Sequence, residues 1–388
     1  MTAIDRLWND YSACIRKMKH YDEALGVLYW DMRTGAPRKG LEMRAEAVGT
    51  LSSELFALAT SEKLGEMLER LTEPSVFAAL TPVQRRSVEE CKKDYDRSKK
   101  IPPELHREYV VLTSKAEAVW EEAKPAGDFE QFRPYLAQIV DFQIKFAELW
   151  GYKENRYDTL LDAYEPGMTV AKLDAVFSAL REKLVPLAAA VAAAPQPDVS
   201  VLKRNIPVEK QRAFGEFVLR EIGYDFAAGR LDATSHPFAT GLNPGDVRVT
   251  TRYLEDDITY SLFSTIHEGG HALYEQNISP DLAGTNLCEG TSMGIHESQS
   301  RLWENMIGRS LPFWERYYED LRRITGEFSD VPLEDFYRAV NEVKPSFIRT
   351  ESDELTYNLH IMIRYELEKA LVGGRLKTED LPEAWNAM

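Results

Sequence analysis

Helical periodicity runs through most of this 388-residue chain and leaves few fold classes open to it. Residues 1–23, 38–60, 62–72, 82–98, 103–124, 128–151 and 169–192 each place apolar side chains three and four positions apart, with charged faces between them. Stops fall where such helices must end: Gly35 to Pro37, Pro74, Ile101 to Pro103, Gly151 and Pro166-Gly167. The alanine run within 187–198 reads as a helix end followed by a turn at Pro195 and Pro197, since alanine is the strongest helix former. One segment breaks the pattern. Asp246 to Tyr253, DVRVTTRY, alternates and is rich in β-branched residues, which predicts a strand. As an edge strand it would bind an extended peptide by main-chain hydrogen bonds; the plainer alternative is a small structural hairpin. The expected fold is mostly α, with a small β-sheet beside the helix that follows this strand.

That helix carries the chemistry. In ITYSLFSTIHEGGHALYEQNI, Ile258, Leu262, Phe263, Ile266, Ala272 and Leu273 recur at helical spacing around His267-Glu268-Gly269-Gly270-His271. Positions i and i+4 share one helix face, so His267 and His271 can offer two imidazole nitrogens to one metal ion. Glu268 lies about 100° round the helix, off the ligand axis but within reach of a water on that ion. This is the HExxH arrangement of zinc peptidases, with the glutamate as general base. The bland reading, a hydrogen-bonded histidine pair on a core helix, accounts for neither Glu268 nor Glu297 further downstream. Two adjacent glycines cost about 1 kcal/mol each in a helix, and their missing side chains would admit a close backbone or substrate.

A catalytic zinc site needs three protein ligands and one open position. Downstream, in EGTSMGIHESQSRLWENMIG, Glu297 begins a second helical pattern with Leu302 and Met306 on an apolar stripe, and would complete a His2Glu set. His296 and Cys288 are its rivals as third ligand. With zinc in place, bound water would have its pKa lowered towards 7, and Glu268 would take its proton and return it to the leaving amine. Co2+ or Mn2+ would also suit these donors.

With these residues in hand, the chain resembles the Taq-type (thermostable) metallocarboxypeptidase family. Ser235-His236-Pro237-Phe238 resembles its HPF element, Asp246 to Thr250 its DxRxT element, and His296-Glu297-Ser298-Gln299 its HESQ element, which carries the third metal ligand. Ile348 to Asp353 is similar to IRxxAD, with Ser352 where alanine is usual. Leu28-Tyr29-Trp30-Asp31, with Pro37 and Gly40, and the stretch from Tyr157 to Gly167 also resemble family segments, in the family's order. The resemblance implies a multi-helix zinc-peptidase fold with a deep cleft that admits peptides and excludes folded proteins. It implies removal of single residues from peptide C-termini, and a homodimer. Recognition of a free α-carboxylate suits a forked guanidinium, and Arg349 of the IRxxAD-like element is the candidate; the alternative is a surface arginine paired with Glu351 or Asp353. His236 is a candidate substrate contact or a structural turn residue. Arg248 would either orient neighbouring acids or touch substrate. Members usually run roughly a hundred residues further, through a GxxQDxHW element and a tyrosine near the metal. A chain ending at Met388 is expected to be a shortened natural form, a fragment, or one completed by another polypeptide. Two other functions stay open: an oligopeptidase or endopeptidase on the same scaffold, and a peptide-binding homologue with weak catalysis.

With 44% hydrophobic residues the chain can bury a large core. It is read as a single large domain, 1–388, with an N-terminal helical part (1–200) and a part carrying the metal site (201–388). A formal charge of −16 disfavours nucleic acid and anionic membranes as partners. No run approaches the ~20 apolar residues of a membrane span. Cys14, Cys91 and Cys288 show no pairing pattern, and the start lacks the order of a secretion signal, so a cytoplasmic setting is expected.

Overall fold

The periodic segments fold as helices, several of them begun by a side chain that accepts from the first free amides. The computed structural model describes residues 1–388 apart from the side chains at positions 114, 117, 118, 121 and 351. In chain order come α1 (Ala3–Thr34), α2 (Leu41–Ala59), α3 (Glu62–Leu71), α4 (Pro74–Ala79), α5 (Pro82–Lys99), α6 (Pro103–Ala126), α7 (Phe129–Trp150), α8 (Arg156–Tyr164) and α9 (Val170–Ala192). Thr2 and Asp5 close a reciprocal capping box on α1, while Ser61, Asp128, Asn155 and Thr169 cap α3, α7, α8 and α9. Helix α6 stops at Gly127, whose φ of 64° is the left-handed conformation glycine adopts cheaply. Helix α1 continues past its expected end at residue 23 to the Gly35–Pro37 stop, because only Gly26 interrupts the helix formers there.

The second half contains α10 (Val208–Glu221), β1 (Leu231–Ala233), β2 (Ala239–Asn243), β3 (Asp246–Thr251), α11 (Ile258–Gln276), α12 (Met293–Arg301), α13 (Leu311–Thr325), α14 (Leu333–Val340), α15 (Glu354–Val372) and α16 (Leu381–Asn386). A π-helical stretch, Leu302–Gly308, continues α12. The apolar stripe expected there is only partly formed, since Met306 is exposed.

The chain forms two compact units, each assembled from separated segments. The first joins Met1–Asp96 to Pro197–Glu342, and the second joins Arg97–Gln196 to Val343–Met388. The main core of the first unit gathers Phe214, Val218, Ile258, Leu262, Ile266, Trp314, Phe328 and Phe336 from α10, α11, α13, α14 and the loops between. Burying side chains of this size contributes about 1.5–3 kcal/mol each before entropy is counted, so α11 is held rigidly by one apolar face. The second unit closes around Tyr157, Val170, Tyr365 and Val372.

The sheet has the order β1-β3-β2. Strand β3 pairs in parallel with β1, Leu231 opposite Val249, and antiparallel with β2, Thr240 opposite Arg248. The predicted strand is therefore real but central, not an edge. Both of its backbone rims are occupied, so it has no free rim on which to receive a peptide. Val247 and Val249 point inward with Leu219, Leu231 and Ala272, which packs the sheet against α10 and α11.

Candidate metal centre

Helix α11 begins at the Asp257 cap, whose carboxylate accepts the Thr259 amide at 3.0 Å, and buries Ile258, Leu262, Phe263 and Ile266 in the core. That face fixes the opposite one, which bears His267 and His271. The two glycines serve helix packing. A Cβ on Gly270 would lie 2.6 Å from Ser300 Cα and 2.7 Å from the Gln299 carbonyl oxygen, so α12 crosses α11 with the two backbones nearly touching. On Gly269 a Cβ would meet the tip of Leu219 at 2.6 Å. Gly270→Ala is therefore expected to destabilise the protein by about 1–3 kcal/mol as backbone is forced apart. Gly269→Ala should cost less, because a leucine tip can turn aside. Thermal melts of the two variants check the order.

The close crossing delivers Glu297. Its Oε2 lies 3.6 Å from His267 Nε2 and 3.4 Å from His271 Nε2. Among the described residues these three form the one group whose ligand atoms all lie within 4.8 Å of one another. A tetrahedral ion with ligands at about 2.0–2.1 Å would set them about 3.4 Å apart, so the donor set and its spacing fit a divalent cation. His296, the rival ligand, stands instead behind His271, their Nδ1 atoms 2.6 Å apart, and its Nε2 meets Glu275 Oε1 at 2.7 Å. Cys288 lies outside the convergent group, half-buried, with its thiol pushed up by burial.

Each imidazole of the group presents Nε2 to the centre and is held through Nδ1. His267 Nδ1 bonds Glu304 Oε2 at 2.8 Å. Glu304 is itself fixed by Arg301 and Arg309, each at 3.3 Å, and Arg309 lies over the Phe263 ring and donates to the Val340 carbonyl. Glu304 belongs to the π-helical stretch, where a widened turn shifts side chains from their α-helical directions. The sequence left these partners unnamed. Glu275, four residues after His271, and Glu304, seven after Glu297, carry the right spacing, but such pairs are common on any charged helix.

Glu268 is buried, 8% exposed, beside the convergent group. Burial pushes its carboxyl up to about 7, against the opposing pull of His267 and with Glu297 and Glu304 adding to the rise. Burial works against charge on His267, yet its bonds to Glu297 and Glu304 outweigh that and raise it to about 9. Burial holds His271 below its ordinary value. Glu297, despite burial, is held well below the usual carboxylate range by His267, His271 and Arg301. Three carboxylates around His267 make this a place that attracts positive charge.

The strand elements support Glu268. Thr250 of β3 grips Phe238, accepting its amide at 2.8 Å and donating to its carbonyl at 2.9 Å. The next amide, Ala239, hydrogen-bonds Glu268. Of the uses weighed for Arg248, the structure shows the acidic pairing: its Nε and Nη2 meet Asp246 at 2.8 and 2.6 Å, and it lies over the Trp30 ring. His236 is exposed in the turn before β2. Arg349 lies in the second unit, bonded to the Tyr357 hydroxyl. Asp353, one partner proposed for it, instead caps α15 through the Leu355 and Thr356 amides, and the other, the Glu351 side chain, lies outside the described residues.

This architecture has known counterparts. The chain matches the family described as "Carboxypeptidase Taq (M32) metallopeptidase" over residues 10–388. Carboxypeptidase 1 of Bacillus subtilis is 51% identical over 374 residues, which cover 96% of this chain and 74% of that protein. Thermostable carboxypeptidase 1 of Thermus thermophilus is 45% identical over 377 residues, 94% of this chain and 74% of the relative. The M32 carboxypeptidase structure from Deinococcus radiodurans R1 superposes with a TM-score of 0.94 at 41% identity, over 98% of this chain and 76% of that one. Helical content, the small sheet and this match agree with the mostly α peptidase fold read from the sequence. The chain belongs to the Taq-type (M32) metallocarboxypeptidases and is an enzyme of that class, one that uses a divalent metal ion.

Proposed function

We propose that this enzyme is a zinc-dependent carboxypeptidase that removes single residues from peptide C-termini, with His267, His271 and Glu297 as metal ligands and Glu268 as general base. The observation that carries this reading is the meeting of two Nε2 atoms and one carboxylate oxygen with edges of 3.4 and 3.6 Å, beside a buried glutamate. When bound, a divalent ion supplies Lewis acidity that polarises the scissile carbonyl and lowers the pKa of water. Two imidazoles and one carboxylate suit zinc, with cobalt or manganese as substitutes. The remaining work falls to the protein. Glu268, steadied by the Ala239 amide, takes the proton of the attacking water and hands it to the leaving amine. Glu304 and His296 hold the two imidazoles with Nε2 forward. Arg349 is assigned the free α-carboxylate of the substrate, and His236 a secondary contact.

Mass spectrometry of a plain peptide, after incubation with zinc-loaded protein, tests the reading. Stepwise loss of single C-terminal residues is expected, and a C-terminally amidated copy should resist. Internal fragments from the amidated peptide would favour the oligopeptidase alternative, and intact peptide with metal bound would favour a binding protein. A homodimer, expected from the family, is checked by sedimentation. The unpaired cysteines 14, 91 and 288 support a cytoplasmic setting, and among the described residues no helix is long and apolar enough to cross a membrane.

A further inference from the structure

The two proposed ligand histidines are backed by different chemistry. His267 leans directly on the carboxylate of Glu304, at 2.8 Å. His271 leans through Nδ1 on a second imidazole, His296, whose far nitrogen in turn meets the carboxylate of Glu275. An ionised carboxylate accepts hydrogen bonds and donates none. Glu275 Oε1 takes the Gly290 amide at 3.2 Å and faces His296 Nε2 at 2.7 Å, so the proton between Glu275 and His296 belongs to His296 Nε2. A neutral His296 then has a bare Nδ1. Across the 2.6 Å between the two Nδ1 atoms, the shared proton must belong to His271. That leaves His271 Nε2 without a proton and its lone pair on the side of Glu297 Oε2, 3.4 Å away.

The His296 ring is built into place. Tyr274 meets it edge-on, ring centres 5.2 Å apart. A Cβ on Gly290 would lie 2.5 Å from His296 Cδ2, 3.2 Å from Tyr274 and 3.3 Å from Glu275 Oε1, so only glycine lets the loop close over all three.

We infer that Glu275 and His296 are positioning residues for the peptidase reaction: through two successive hydrogen bonds they lock His271 in the tautomer that presents Nε2 as a metal ligand. The inference rests on the ligand set proposed above. It gives the histidine of the His-Glu-Ser-Gln segment a task distinct from that of Glu297 beside it. An imidazole here accomplishes what a bare carboxylate cannot, since it passes the directional demand of Glu275 across one ring without placing a second negative charge against His271.

Chelator competition for Zn2+ tests it. His296→Leu and Glu275→Leu should each weaken zinc binding about tenfold to a hundredfold. The double variant should be no weaker than His296→Leu, because both break one relay. His296→Gln should recover most of the loss, its carbonyl accepting from His271 and its amide donating to Glu275. Zinc affinity within threefold of wild type in His296→Leu, additive losses in the double variant, or failure of His296→Gln to improve on His296→Leu would each overturn the relay. Should the leucine variants fail to fold, long-range 1H–15N spectra of the metal-free wild-type protein decide it: the relay requires His271 protonated at Nδ1, and the opposite tautomer refutes it. His271→Ala separates the two levels of argument. Undiminished zinc binding in that variant would overturn the ligand set itself, whereas loss there with none in His296→Leu would overturn only the relay.

Discussion

Glu268→Gln should keep its metal and lose about a hundredfold to ten-thousandfold in turnover, the range that a positioned general base contributes. Glutamine matches glutamate in shape and can still accept the Ala239 amide, so the local structure should persist. What it lacks is the ability to take a proton. Metal content by mass spectrometry and peptide hydrolysis on the same sample distinguish the outcomes: activity that survives removes Glu268 from the base role, and metal lost with activity makes it a structural residue. A stability signature should accompany the change. The folded-state pKa of Glu268, about 7, lies above the ordinary carboxylate value of 4.5. Such a group favours folding below the unfolded pKa, and that contribution is lost as pH rises through 7. At pH 8 the metal-free glutamine variant should therefore melt above the wild type, an activity residue held at a cost in stability.

Stripping the metal should abolish hydrolysis, and restoring zinc at a hundredfold over its Kd should stabilise the fold by about 2.7 kcal/mol. The proposed ligands converge from two helices, α11 and α12, so a bound ion would tie the two together. Its uptake must also expel a proton. His267, raised to about 9 by Glu297 and Glu304 against the effect of burial, is protonated below that pH, and an imidazolium cannot ligate. His271, shifted downward, adds no such competition near neutrality. Apparent zinc affinity should thus rise about tenfold per pH unit from 7 towards 9 and level off above. Buffered chelator titrations measure this. A flat profile across that range would mean that His267 is not the titrating ligand, and His267→Ala with full zinc affinity would remove it from the site.

Much of the site could be read from residue order alone, because its central parts are local. His267 and His271 are brought together by a single helical turn, and α11 itself announces its helix by periodicity, whereas α10, α13 and α14, which bury it, were not among the segments read from the sequence. Glu297 was also visible as a carboxylate on the next helix, although its approach depends on Gly270, whose purpose shows only when Ser300 is found against it. What stayed hidden depends on contacts across elements. Strand alternation in DVRVTT identifies a strand but says nothing of neighbours, which is why β3 emerged in the centre of its sheet. Glu304 reaches His267 from a π-helical turn that no periodicity foretold. His296 read as a rival ligand because sequence spacing cannot tell a group beside an ion from one that stands a ring behind it.

The interleaving of the two units bears on how the polypeptide is made. Every element of the metal centre lies between residues 239 and 309, yet the unit that houses it also needs residues 1–96, and residues 97–196 belong to the other. On a ribosome, the opening helices must wait until synthesis has passed residue 342 before their unit can close. Joining its two pieces across a hundred-residue excursion costs roughly 4 kcal/mol of chain entropy, and less if the intervening segment has already collapsed. Early order in the excursion would therefore hasten completion of the catalytic half.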